Sequence, residues 1–464
     1  MDHIRAARVA LMLTLACSTN IAAQSVIPGP GTTTAIQGEL QSATLTPPQQ
    51  TTAALVEFVC PPGNLLSSDL QTRCNEIAIG ILRGTDTSGA LAGLQGMAPE
   101  ENSVVQTLEV DGSQATDEEV RKRLERRRKK NQDDEAVTMT LNGRVLTPEE
   151  LTGVERGGGA SADYPSSGRW GVYLNGNIGI GDKDSSARET GFRMNSYGIN
   201  GGADYQLTDQ SIVGLALGYT RQDTDLNADS GFLETDSVTV SAYGSYFPSA
   251  RSYVNAILSY GHNDHDQKRT IAYTIASPFV PGGTAVINQS AFSDTTSRDI
   301  GGSLEGGYDF VRNNWTLTPY ARLAVADSSI DGYTEHMSDP TGPGSGLALQ
   351  IEDQSFMSIT TAFGGRAATV YSAERFDLFP QIGAEYVHEF DNDNEDTRGR
   401  LVDDTSGSVF LLPTDSPDRN YGNISAALTA DFRNGWSGHV LYQGLVGYED
   451  LNISFFEVGA RLQF

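Results

Sequence analysis

The stretch that decides the fold is Phe455–Phe464, "FFEVGARLQF". Phe456, Val458, Ala460, Leu462 and Phe464 fall on one face of an extended strand. Glu457, Gly459, Arg461 and Gln463 fall on the other. Chain ends are ordinarily loose and polar. An apolar outer face over a polar inner face, closing on an aromatic, is what the final strand of a transmembrane barrel needs.

The same period of two runs back to Arg169. "IVGLALGYT" sets Val213, Leu215, Leu217 and Tyr219 against Gly214, Ala216, Gly218 and Thr220. "VTVSAYGSY" alternates Val238, Val240 and Ala242 with Thr239, Ser241 and Tyr243, and "LTPYARLAV" places Arg322 among the small and polar residues. A soluble sandwich also alternates, with its apolar face inward. The connections separate the two. Every second one is tight and polar: "LTDQ", "FPSARS", "VRNNW", "YSAERF" and "FRNGW". Those between are mostly long, over about 181–191, 225–231, 271–291, 331–347 and 392–418, and a short one lies near Glu449–Leu451. Tight turns on one rim and long loops on the other mark an outer-membrane barrel. The spacing predicts twelve strands, centred near residues 174, 199, 216, 240, 258, 303, 321, 359, 384, 426, 442 and 458. Aromatics flank the tight turns and predict an interfacial girdle: Tyr205, Tyr246, Phe247, Tyr253, Phe310, Trp315, Tyr371, Phe376, Phe432, Trp436 and Phe464. Closure also hides every strand edge, which lipid requires.

Composition agrees with export. Among 464 residues, 59 acidic and 32 basic side chains give a net charge of −27, which argues against a nucleic-acid partner. The 50 glycines sit inside alternating apolar runs and read as strand residues. Residues 1–23 read as a secretory signal: Arg5 and Arg8, an apolar run from Val9 to Ala16, then small residues, with cleavage after Ala23. A lipoprotein reading would use Cys17, but Thr14 stands where Leu is preferred. No later segment reaches the roughly 18 apolar residues of a membrane helix. Signal removal leaves Cys60 and Cys74, a pair expected to form a disulfide in an oxidising compartment. It would close a loop of about 15 residues, worth roughly 3 kcal/mol in chain-entropy accounting. The rival reading is a metal site, for which two thiolates without a neighbouring His are poorly suited. No metal or cofactor is expected.

Three regions precede the barrel. Residues 24–55, with "PGPGTTT" and "TPPQQ", read as a flexible leader. Residues 56–156 read as a small, mostly helical N-terminal region; Leu70, Cys74, Ile77 and Ile81 share one helical face, and Pro99 starts a new helix. In "TDEEVRKRLERRRKK", Thr116 and Glu119 form a capping box. The basic run from Arg121 to Lys130 reads first as a solvated, salt-bridged helix and alternatively as a site for lipopolysaccharide phosphates. "LTPEELTGV" predicts a short helix near Thr147–Val154 before strand one. Residues 157–168 are a Gly/Ser linker, and 169–464 form the barrel.

These residues carry a resemblance. "GGADYQL", "LGYTRQDTDL", "VSAYGSYFP", "GGYDF", "WTLTPYARL", "DGYTE", "PTDSPDRNYGNISAAL" and the terminal "VGARLQF" resemble the autotransporter β-domain over about residues 169–464. The resemblance implies a twelve-stranded antiparallel barrel in the outer membrane of a Gram-negative bacterium, a helix threaded through its lumen, and secretion or display of an N-terminal passenger. The Thr147–Val154 segment would be the threading helix. The terminal aromatic pattern Phe456, Leu462 and Phe464 would be the signal read by the barrel-assembly machinery. The chain departs from the family in having neither a long β-helical passenger nor a Gly-Asp-Ser-Leu nucleophile block. No Asn-Asn pair precedes strand one, so self-cleavage is not expected. "CPPG…RC" followed by "LAGLQGMAPEE" resembles a subgroup with short disulfide-bearing N-terminal regions.

Two stretches carry other chemistry. "YGHNDHD" places His262, Asp264, His265 and Asp266 at the outer end of strand five, and some outer-membrane proteases use rim His and Asp to activate water. In a strand, His262 and Asp264 share one face and His265 takes the other, so no single-faced triad results. "DNDNED" at Asp391–Asp396 lacks the Gly and Glu of an EF-hand loop, leaving only weak calcium bridging to lipopolysaccharide. The expected function is a monomeric display and secretion barrel without turnover chemistry, in contact with outer-membrane lipid and lipopolysaccharide. The alternatives are a rim hydrolase and a passive pore.

Overall fold

The computed structural model describes residues 45–59, 68–99, 104–105, 120–121, 124, 140–141, 144–145, 170–373, 375–391, 396–405, 407–432 and 436–462. Twelve long strands close into one antiparallel ring. In chain order they are β1 (Trp170–Lys183), β2 (Phe192–Thr208), β3 (Ser211–Leu226), β4 (Gly231–Ser249), β5 (Ser252–Ala276) and β6 (Thr284–Tyr308). The ring continues with β7 (Trp315–Ile330), β8 (Gln354–Thr369), β9 (Phe376–Glu389), β10 (Asn420–Phe432), β11 (Trp436–Val446) and β12 (Leu451–Leu462). Each pairs with its neighbours, and β12 returns to β1 through pairs such as Phe456↔Ile178 and Glu457↔Asn177. All twelve predicted strands are present.

The alternation settles into an outer apolar face and an inner polar one. Leu215, Leu217, Val240, Leu258, Ile300, Leu323, Ile382 and Val458 are exposed on the outside. Asn175, Asn200, Ser241, Asn255, Glu305 and Glu457 are buried on the inside. This inversion of the soluble pattern identifies the outer solvent as lipid. Among the described residues no helix is long and apolar enough to cross a membrane; the strands make the crossing. Tyr246, Phe310, Trp315, Tyr371 and Phe432 lie outward near the tight turns, as expected of a girdle. Phe247 and Tyr253 do not belong to it. Both are buried on the inner face, one residue out of phase with the lipid-facing set. Tyr197, Tyr219, Tyr260 and Tyr386 are exposed towards the other rim.

Inward tyrosines explain several glycines. Tyr253 opposes Gly307 and Tyr320 opposes Gly364 directly across their strand pairs. A Cβ on either glycine would meet the ring, at 2.4 Å for Gly307 and 2.5 Å for Gly364. The rings therefore lie flat over the inner wall, with their hydroxyls free to reach acceptors on neighbouring strands.

The strands are of unequal length. β5 and β6 have 25 residues each. A membrane strand needs about 9–11. The outward face of β5 is apolar from Val254 to Tyr260, then carries His262, Asp264 and Asp266, so residues 261–276 project beyond the lipid. The expected long loop over 271–291 is instead mostly this hairpin, turning at 277–283. β-branched and aromatic residues at Ile271, Tyr273, Ile275, Val286 and Ile287 keep both arms extended.

Three helices stand at the long-loop rim: α1 (Pro47–Val59), α2 (Ser68–Leu82) and α3 (Thr87–Gly96). Residues 24–55 read as a leader, yet 47–55 are helical. Thr46 and Gln49 form a reciprocal capping box, and Pro47 occupies the first helical position. On α2, Leu70, Cys74, Ile77 and Ile81 are all buried, as their spacing predicts. α1–α3 share one core with Ile271, Tyr273, Ile275 and Ile287 of the hairpin and with Leu347, Leu349, Leu401 and Phe410 of the rim loops.

Candidate functional site

The candidate site is the lumen. A belt of charge crosses its inner wall. Tyr253 Oη donates to Glu305 Oε1 at 2.8 Å, and Arg366 Nη2 donates to both, at 2.7 Å to the tyrosine and 2.8 Å to the carboxylate. The Arg366 guanidinium lies 4.4 Å from the centre of the Tyr320 ring. Glu385 accepts from Tyr320 Oη at 2.8 Å, Arg322 Nη2 at 2.8 Å and Asn423 Nδ2 at 2.9 Å. The belt thus joins β5, β6, β7, β8, β9 and β10. Charge-assisted bonds of this kind are stronger than neutral ones and fix the wall in one arrangement. Elsewhere in the lumen His439 Nε2 and Glu457 Oε1 are 2.6 Å apart and both side chains are buried.

The chain's own upstream residues enter this space. Val104 and Val105 are buried against Phe192, Met194, Leu226, Leu233, Phe356 and Ile453, at the long-loop end. Val120 and Leu124 are buried against Tyr173, Ile212, Tyr243, Phe247 and Tyr253, at the tight-turn end. Arg121, 7% exposed, lines a cavity of about 410 Å³ together with Glu305, Arg322, Arg366, Glu385 and Glu457. The segment expected to thread the lumen, Thr147–Val154, lies outside the described residues; the threading positions described are upstream of it.

The other expected site residues are dispersed. Phe456 faces outward on β12, 40% exposed. Leu462 ends β12 and its backbone pairs with Trp436; Phe464 lies outside the described residues. Cys74 is buried on α2, and Cys60 lies outside the described residues. His262 Nε2 stands 3.7 Å from Asp264 Oδ1 on the exposed outer face, while His265 points inward to Thr235 and Ser297 at 3.0 and 2.9 Å. His262 and Asp264 share the outer face and His265 takes the inner one, as the strand period requires, so the three do not converge. Among the described residues no group of His, Cys, Asp and Glu is arranged to hold a metal ion.

The profile of the autotransporter beta-domain matches residues 172–443, from the third residue of β1 into β11. The chain belongs to the autotransporter β-domain family. Its place is therefore the outer membrane of a Gram-negative bacterium, and its barrel is a transporter fold serving passenger secretion. Among curated relatives, the autotransporter barrel described here is 26% identical over 287 residues to the uncharacterized protein YaiT of Escherichia coli (strain K12), covering 59% of this chain and 26% of YaiT. It is 25% identical over 208 residues to an extracellular serine protease of Serratia marcescens, covering 45% of this chain and 18% of that one. The chain thus spans about a quarter or less of these relatives' lengths. Among solved structures, it is similar to the translocator domain of the autotransporter NalP from Neisseria meningitidis, with a TM-score of 0.46 and 17% identity over 65% of this chain and 90% of that one.

Sequence reading placed Arg322 on the inner face but not its partners. It also missed Val104, Val105, Val120, Arg121 and Leu124 as residues inside the barrel. The signal available was the pair Val104–Val105, apolar within an otherwise polar stretch.

Proposed function

We propose that this autotransporter barrel exports and displays its own N-terminal residues, which stay attached as a short passenger. One observation carries the reading: the order in which the chain visits the two rims. Residues 47–59 and 68–98 stand at the long-loop rim, Val104 and Val105 lie in the upper lumen, Val120 and Leu124 lie in the lower lumen, and β1 begins at the tight-turn rim. A chain that had crossed its own pore from the tight-turn side would follow this path. The long-loop rim then faces the exterior and the tight-turn rim the periplasm, after removal of residues 1–23 as a signal. The barrel works as a monomer among outer-membrane lipids and lipopolysaccharide, placed by the barrel-assembly machinery through Phe456, Leu462 and Phe464. Within the displayed region Cys60 and Cys74 form a disulfide, a reading supported by the disulfide-bonded state of Cys74. Alkylation mass measured with and without reduction checks it. The passenger carries no turnover chemistry.

The deciding experiment places an epitope in residues 24–44 and treats intact cells with proteinase. Loss of the epitope, with a periplasmic marker protected, is expected. An epitope that survives on intact cells and is lost only after the outer membrane is opened would reverse the orientation.

A further inference from the structure

The inner faces of β5 and β6 change character along their length. Within the barrel they present Asn255, Ser259, Asn263, His265 and Gln267, and Ser293, Thr295, Ser297 and Asp299. Beyond the paired residues Arg269 and Ala291 they present Ile271, Tyr273 and Ile275, and Ala285 and Ile287. The apolar part has α3 laid on it at backbone distance. A Cβ on Gly89 would stand 2.5 Å from the Thr274 carbonyl, one on Gly93 3.2 Å from the Tyr273 ring, and one on Gly96 3.4 Å from Ile271. Polar groups fix both ends of the helix. Asp86 caps it through Gly89 N at 2.9 Å and accepts from Ala276 N at 2.9 Å. Arg269 Nη1 donates to the terminal Gly96 carbonyl at 2.5 Å, while its other nitrogens hold Glu335 at 2.8 and 2.5 Å. On α2, Asp69 Oδ2 accepts from Gly344 N and Gly346 N, each at 3.0 Å.

We infer that the β5–β6 extension and the rim loops are a built platform for the chain's own helices α1, α2 and α3, which hold there non-covalently as a resident cap. Without the helices, the platform would expose Ile271, Ile275, Ile287, Leu347, Leu349 and Phe410 as one apolar patch, which soluble surfaces avoid. Without the platform, three short helices are too small to bury a core alone. Each half supplies the other's missing side, as in obligate interfaces. The barrel therefore keeps its passenger after the connecting backbone is cut, and it is the passenger's folding partner as well as its exit. The location of the cap outside the cell rests on the proposed display function; the docking does not.

The test inserts a Gly/Ser-flanked protease site between Glu101 and Asn102 of the full chain. After cutting the purified protein in detergent, the N-terminal fragment is expected to co-elute with the barrel on size exclusion. Gly89→Leu, which drives a side chain into the β5 backbone, is expected to speed fragment loss at least about tenfold, a change of roughly 1.4 kcal/mol. The barrel should keep its heat-dependent gel shift in that variant. A wild-type fragment that elutes separately, or a Gly89→Leu fragment retained as well as wild type, overturns the platform. On intact cells the same cut should leave the fragment in the pellet. Co-elution in detergent combined with protection from protease on intact cells supports the platform and overturns the display reading alone.

Discussion

Glu385 accepts three hydrogen bonds inside the barrel, from Tyr320, Arg322 and Asn423. Breaking a buried ion pair by removing one partner costs about 3–5 kcal/mol in a dry core. The lumen holds a cavity, so the cost here should fall nearer 1–3 kcal/mol. Arg322→Met is therefore expected to lower the temperature at which the folded gel band converts to the unfolded one, and adding Glu385→Gln should recover part of the loss. Equal losses in the single and double variants would show that the pair is not coupled. A second residue responds to pH. Asp86 is held below its ordinary range first by the Gly89 N–H and then by the Ala276 N–H. A depressed folded pKa means a contribution present above the unfolded value of about 3.9 and lost as pH falls through the folded value. Protection of α3 against amide exchange should thus weaken below about pH 4 in the wild type. In Asp86→Asn that step should be missing. Arg322 was readable as inward-facing from "LTPYARL", whereas its partner, 63 residues away, depends on the β7–β8–β9 register.

At the scale of elements, the β5–β6 hairpin differs most from its sequence reading. Within residues 271–291 the turn residues are confined to "SPFVPGG" at 277–283, and the alternation on either side of them continues past the lipid band without a marker of where lipid ends. The boundary is set by Tyr260 on the outer face, and the continuation is set by what packs on the inner face beyond Arg269. Replacing residues 267–293 by a tight turn should leave twelve strands long enough to span, since about 9–11 residues suffice. The barrel should keep its gel shift in detergent. Residues 47–98, deprived of their partner surface, should become sensitive to protease. If they stay resistant, they fold without the hairpin.

The whole molecule is a closed ring with its own chain inside. Closure leaves no edge to fray, and Val104, Val105, Val120, Arg121 and Leu124 occupy space inside the ring. Removing residues 24–168 should therefore turn a barrier into a channel, with steady conductance in planar bilayers where the full chain shows little. Comparable conductance in both would mean that the residues upstream of β1 do not obstruct the pore. The end of β12 raises a question of assembly. Deleting Phe464 removes one side chain, worth about 1.5–3 kcal/mol at most if fully buried, which a twelve-stranded ring tolerates. The proposed recognition by the assembly machinery would act on the unfolded chain. The deletion should thus lower the outer-membrane level in cells much more than it lowers refolded stability in detergent. If both fall together, Phe464 matters through packing.

The sequence by itself determined the strand number, the inward and outward faces and the tight-turn rim. These follow from a period of two and from turn residues, which act over a few positions and need no knowledge of the rest of the chain. It also determined α2, whose buried face repeats at helical spacing. Phe247 and Tyr253 escaped because an aromatic beside a turn suits a girdle or an inner wall equally, and one residue of phase decides between them. What fills the lumen and what covers the hairpin were decided only by tertiary structure. Asp86 meets Ala276 across 190 residues and Asp69 meets Gly344 across 275. Such contacts leave no periodicity in either partner, because each segment records only that it has an apolar face and not which distant surface will bury it.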